Sequence, residues 1–177
     1  MVNFNAQIQE FWNEVQEIYD PIQKETNLTY YVFQTSYGQK PNPDLMIIGI
    51  NPAGGYGNEK FLVNKMAEHG KFKNMYIDWM YNEKSDASEN EWFNTLCSVF
   101  NYPKNPEMKK LLENAVGTNC FYVNTKTVKS LNKQYDVKYL TSVSKSLVRK
   151  LIGIIQPKKI LTLEIYRLSA SVTPNKN

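Results

Sequence analysis

The sequence predicts an α/β protein in which a mostly parallel sheet is covered by helices. Three observations predict it. An apolar run of strand length, residues 45–50, stops abruptly at an Asn-Pro turn. Two further short apolar runs follow at 119–124 and 160–163, and stretches of helical periodicity separate them. Continuous apolar runs suit strands buried on both faces, and strands alternating with helices form parallel sheets. At 177 residues the chain reads as one domain spanning 1–177, long enough to bury a core.

Ile8, Phe11, Trp12, Val15, Ile18, Tyr19 and Ile22 recur at helical spacing, so an amphipathic helix opens the chain. Asn5 is placed to cap it, and Pro21 marks its end or a kink. Residues 28–33 are rich in aromatic and β-branched side chains and read as an extended segment. A turn-rich connection, 38–43, leads into the strand at 45–50. Phe61, Leu62, Lys65 and Met66 share a helical face that ends at Gly70, and 82–90 reads as a loop. Helical spacing returns over 91–100, and a second helix is expected over 106–116 with Pro106 in its first turn. The second strand is placed at 119–124, a long helix at 140–155 before Pro157, and the third strand at 160–163.

Composition narrows the functional classes. Hydrophobic residues make up 42% and charged residues 21%, a globular balance. The net charge of +4 is compatible with a polyanionic partner and equally with simple solubility. Cys97 and Cys120 form no CxxC and no metal-ligand spacing, so both read as reduced core residues. No apolar run reaches membrane-spanning length, and the first residues have no signal-peptide pattern, so a cytoplasmic protein is expected.

The chemistry concentrates where the apolar runs end. Ile50 leads into Asn51, and Val123 leads into Asn124. In a parallel sheet both asparagines would open on one edge, where α/β proteins bind ligands. A neutral amide is a poor base, but its carbonyl oxygen can hold a water. A second amide can meet both the donor and the acceptor on one edge of a pyrimidine. Each asparagine also has a plainer reading, Asn51 as a turn residue before proline and Asn124 as a strand-end cap. Gly54, Gly55 and Gly57 would let a ligand approach the backbone, but their spacing fits neither a Walker loop nor a dinucleotide fingerprint.

Gly49-Ile50-Asn51-Pro52-Ala53-Gly54 resembles the first motif of the uracil-DNA glycosylase superfamily, in the Asn-Pro form of its mismatch-specific and single-strand-selective branches. Cys120-Phe121-Tyr122-Val123-Asn124 resembles the strand that carries the uracil-reading asparagine of that superfamily. The likeness runs from about Tyr31 to Leu163 and is carried by these two motifs. It implies a three-layer α/β/α fold and a hydrolase that cleaves the N-glycosidic bond of uracil or a related damaged base in DNA. The target nucleotide would be flipped out of the duplex at a cost of a few kcal/mol. Asn51 would position the attacking water, and Asn124 would read the uracil edge. Gly49, Ile50 and Pro52 would complete the substrate-binding turn, and backbone amides near Gly54 and Gly55 would hold the base or a phosphate. Tyr56 or Phe61 would stack on the base. The resemblance implies a DNA partner and neither a metal nor an organic cofactor. The iron–sulfur branches use four cysteines, and this chain has two.

The chain departs from the family after the third strand. The family's His-Pro-Ser-type loop has no counterpart in 165–177, which contains no histidine, and Glu164 follows the strand where glycine is usual. Losing one preorganised donor typically lowers a rate by ~10²–10³. The expectation is therefore a divergent, degraded or C-terminally truncated member of weak or no activity, with a non-catalytic nucleic-acid or nucleotide binding module of the same fold as the alternative. His69, the only histidine, reads as a last-turn helix residue. Lys126, Lys129, Lys133, Lys138, Lys145, Arg149 and Lys150 follow the second strand. On a pocket rim they would bind phosphates with strong salt dependence, and on a solvated helix face they need no partner.

Overall fold

The computed structural model describes residues 3–26, 30, 32–33, 41–50, 91–123 and 137–163. Helix α1, Phe4–Thr26, opens the chain as the apolar spacing predicts. Ile8, Phe11, Trp12, Val15, Tyr19 and Ile22 are all buried along one face. Each such side chain contributes about 1.5–3 kcal/mol of transfer free energy. The cap differs from the one expected. Asn3 Oδ1 accepts from the Asn5 amide at 3.0 Å, so the helix begins ahead of Asn5. The helix also runs through Pro21 instead of stopping there. Proline removes one backbone donor, and the buried residues on either side of it, Tyr19 and Ile22, keep the helix seated on the core.

Three parallel strands form the sheet, in the order β2–β1–β3. Strand β1 is Met46–Gly49, β2 is Val116–Asn119 and β3 is Ile160–Thr162. Met46 stands opposite both Val116 and Ile160, and Gly49 stands opposite Asn119. The run expected at 45–50 is thus the central strand, and all four of its residues are buried.

Between β1 and β2 lie α2, Glu91–Phe100, and α3, Pro106–Glu113. Asn105 caps α3, its side chain accepting from the Glu107 and Met108 amides at 3.0 and 3.2 Å, with Pro106 in the first turn. This helix ends at Glu113, short of the expected 116. Val116 belongs to β2, because Val116 N bonds to Leu45 O and brings the chain into register with β1. The second strand therefore spans 116–119 and not 119–124. Of the residues expected to form it, Phe121 and Tyr122 lie outside any strand, and Val123 makes an isolated antiparallel bridge to Tyr30. A second such bridge joins Phe33 to Thr118, which accounts for the extended character read around 28–33.

Helix α4, Val137–Ile155, connects β2 to β3. Helices cover both faces of the sheet. Met46, Ile48 and Val116 pack with α1 and with Leu140, Leu147, Leu151, Ile154 and Ile155 of α4. Leu45, Ile47 and Ala115 pack on the other side with Leu96 and Phe100 of α2 and Leu112 of α3. This alternation along β1 is the period-two pattern of a strand buried on both faces. Tyr19 and Ser144 share a buried hydrogen bond of 3.1 Å between α1 and α4. At the rim of the same contact, Lys150 Nζ lies 2.6 Å from Glu14 and 3.6 Å from Glu10.

Candidate functional site

The carboxyl ends of β1 and β2 form the candidate site. Pairing between them continues past the strands: Cys120 N donates to Gly49 O at 2.8 Å, and Phe121 N donates to Ile50 O at 2.7 Å. On the other side, Leu163 N donates to Ile48 O at 3.0 Å. Ile50 is therefore held at the open edge of the sheet, one peptide bond before Asn51. Parallel α/β sheets present ligand sites at this edge.

Of the residues singled out from the sequence, Gly49 and Ile50 are found here, side by side with the end of β2. Asn51, Pro52, Gly54, Gly55, Tyr56, Phe61 and Asn124 lie outside the described residues, as do His69 and the helix expected near it. The residue that sequence reasoning missed is Asn119. It ends β2 directly opposite Gly49, it is 1% exposed, and its Nδ2 has no hydrogen-bond partner among the described residues. By strand alternation it shares a face with Ala115 and Gly117, while Thr118 points the other way and donates to Val32 O at 2.6 Å. Gly49, opposite, offers the amide no side chain of its own.

A buried amide donor without an acceptor costs roughly 1–3 kcal/mol, so such groups are rare and are associated with function or with bound polar partners. The signal that could have found Asn119 was its strand: Val116-Gly117-Thr118-Asn119 is as short and as buried as β1. The strand expected over 119–124 has Asn119 as its first residue and Asn124 as its last.

An aromatic cluster lies in the core that α1 and α4 build on one face of the sheet. Tyr19 lies 5.2 Å from Tyr30 and 5.6 Å from Tyr122, ring centre to ring centre. Tyr30 donates to Asp20 at 2.5 Å, and the Tyr122 hydroxyl is buried near Thr118. Burial pushes the Tyr19, Tyr30 and Tyr122 phenols above their ordinary range, so all three stay neutral at any physiological pH. They belong to the hydrophobic core on that face.

Cys97 and Cys120 are half-buried and in no disulfide, and burial raises the Cys97 thiol, which argues against a thiolate nucleophile there. Among the described residues no cluster of His, Cys, Asp or Glu is arranged to hold a metal ion, and no helix is long and apolar enough to cross a membrane. No protein-family model, curated protein or solved structure matches this chain.

Proposed function

We propose that this chain is a uracil-DNA-glycosylase-like hydrolase of three-layer α/β/α architecture, acting on uracil or a related damaged base in DNA. The observation that carries the reading is the placement of Gly49 and Ile50, which lead into Asn51-Pro52 in the sequence. They leave the central strand of a parallel sheet at the edge where Asn119 is buried, its amide nitrogen without a hydrogen-bond partner among the described residues. A donor of this kind matches a carbonyl on the rim of a flipped pyrimidine, and the amide oxygen of the same side chain matches the adjacent ring N–H.

In this scheme Asn51 holds the water and Asn119 reads the base, a role the resemblance alone would give to Asn124. The bond between the sugar and the base nitrogen breaks with its electron pair leaving on the uracil anion. The water then adds to the cationic sugar carbon and its released proton neutralises the departing base. The products are free uracil and an abasic site.

A labelled oligonucleotide with one uracil, single- or double-stranded, tests the reading through alkali cleavage of the abasic product. Uracil release that Asn51→Ala lowers by at least ~10²-fold is expected, in line with losing a residue that positions the reacting water. No release from either substrate at enzyme excess refutes it. Base binding without release would mark a non-catalytic binding module of the same fold.

A further inference from the structure

Helix α4 carries no acidic residue along its 19 positions. Its cations divide into two groups. Lys150 turns towards α1 and is engaged by Glu14 and Glu10. Lys138, Lys145 and Arg149 instead line an open groove of about 630 Å³ together with Thr141, Ser142 and Ser146. These six follow one stripe of the helix, and among the described residues no carboxylate pairs with Lys145 or Arg149. Every polar group that the helix contributes to the groove is a cation or a hydroxyl, a set that donates to phosphate oxygens and offers no competing anion.

The stripe has a direction relative to the strand ends. Ile155, the last residue of α4, accepts from Asn42, and Lys158 N donates to Pro43 O, so the helix finishes beside the amino end of β1. A helix joining two parallel strands runs back across the sheet, which puts Lys138 nearest the carboxyl edge and Arg149 farthest from it. At about 1.5 Å per residue the three cations span roughly 16 Å, a length over which one strand of B-DNA carries about five phosphates.

We propose that the outer stripe of α4 is a phosphate-backbone track that holds DNA flanking the strand-edge site. The choice of DNA as the polyanion rests on the base-excision reading, whereas the complementarity to phosphate does not. Up to three backbone contacts give a contribution of about −2.7 to the slope of log K against log salt. That is a ~40-fold loss of affinity between 50 and 200 mM.

The test is fluorescence anisotropy with an undamaged 20-base-pair duplex over a salt series, so that binding is read without base excision. Lys145→Gln/Arg149→Gln is expected to flatten the slope by about 1.8 units, at about 0.9 per lost contact, with an unchanged thermal melt. Lys24→Gln/Lys104→Gln removes the same charge elsewhere and is expected to leave the slope in place. A slope that is unchanged in the α4 variant overturns the proposal, as does an equal effect in the control pair. Loss of binding to phosphatidylserine vesicles with retained duplex binding also overturns it, in favour of a membrane surface. If uracil release is absent but the α4 variant still flattens the slope, the track stands and only the excision reading falls.

Discussion

Replacing Asn119 by alanine separates a structural amide from one kept for a ligand. The side chain is 1% exposed and its Nδ2 donor is unmet among the described residues, so folding carries a desolvation penalty of about 1–3 kcal/mol for that donor. Asn119→Ala removes that donor and opens a space of roughly 30 Å³, which at about 24 cal/mol per Å³ costs about 0.7 kcal/mol. The net effect is a stabilisation of about 0.3–2.3 kcal/mol. For a chain of this size each kcal/mol moves the melting temperature by about 2–4 °C, so the variant melts about 1–9 °C higher. Calorimetry of both proteins at neutral pH measures this directly. Uracil release, measured in parallel, falls about 10- to 150-fold, the equivalent of a charge-assisted hydrogen bond of about 1.5–3 kcal/mol. A drop in melting temperature of more than about 4 °C would show that the amide is bonded in the folded protein. Full retention of excision would remove Asn119 from the base-reading role.

Two further substitutions probe what holds the edge in place. Thr118→Val deletes the 2.6 Å bond to Val32 O that ties β2 to the segment beside it, leaving a buried carbonyl unmet. A loss of about 1–3 kcal/mol in urea-unfolding stability is expected, and an unchanged midpoint would show that water replaces the hydroxyl. Lys150→Met removes the contacts to Glu14 and Glu10 between α1 and α4. The groups are more than a third exposed, so the loss is about 0.2–1 kcal/mol at pH 7 and shrinks with added salt. The hydrogen bond to Glu14 raises the Lys150 ammonium above its ordinary value of 10.5. Its contribution is therefore fully present below that value and disappears as pH rises through the higher folded one. Wild type and Lys150→Met should converge in stability at strongly alkaline pH, and a gap that widens there would contradict the sign.

Much of the scaffold was legible because it follows from local periodicity. The apolar spacing from Ile8 to Ile22 delivers α1, the spacing over 91–100 delivers α2, and Pro106 after Asn105 marks the start of α3. The unbroken apolar run at 45–50 is β1 with both faces covered. Boundaries were less legible where competing local signals meet. Asn5 and Asn3 are both good caps, and only the hydrogen bond from Asn5 N to Asn3 Oδ1 decides between them. Pro21 is a strong local breaker, yet the burial of Tyr19 and Ile22 outweighs one missing backbone bond.

The candidate site divides in the same way. By itself the sequence determined the apolar strand at the centre of the sheet, since hydrophobicity is a local property of Met46 to Gly49. It could not determine which asparagine closes the neighbouring strand. Val116-Gly117-Thr118-Asn119 and Cys120-Phe121-Tyr122-Val123-Asn124 are both plausible short strands. Register is a long-range quantity, fixed when Val116 N meets Leu45 O and Cys120 N meets Gly49 O. Those pairings put Asn119 opposite Gly49, and tertiary burial then leaves its Nδ2 without a partner among the described residues. The division of the α4 cations is tertiary for the same reason. Only the packing of α4 against α1 gives Lys150 to Glu14 and leaves Lys145 and Arg149 lining the groove.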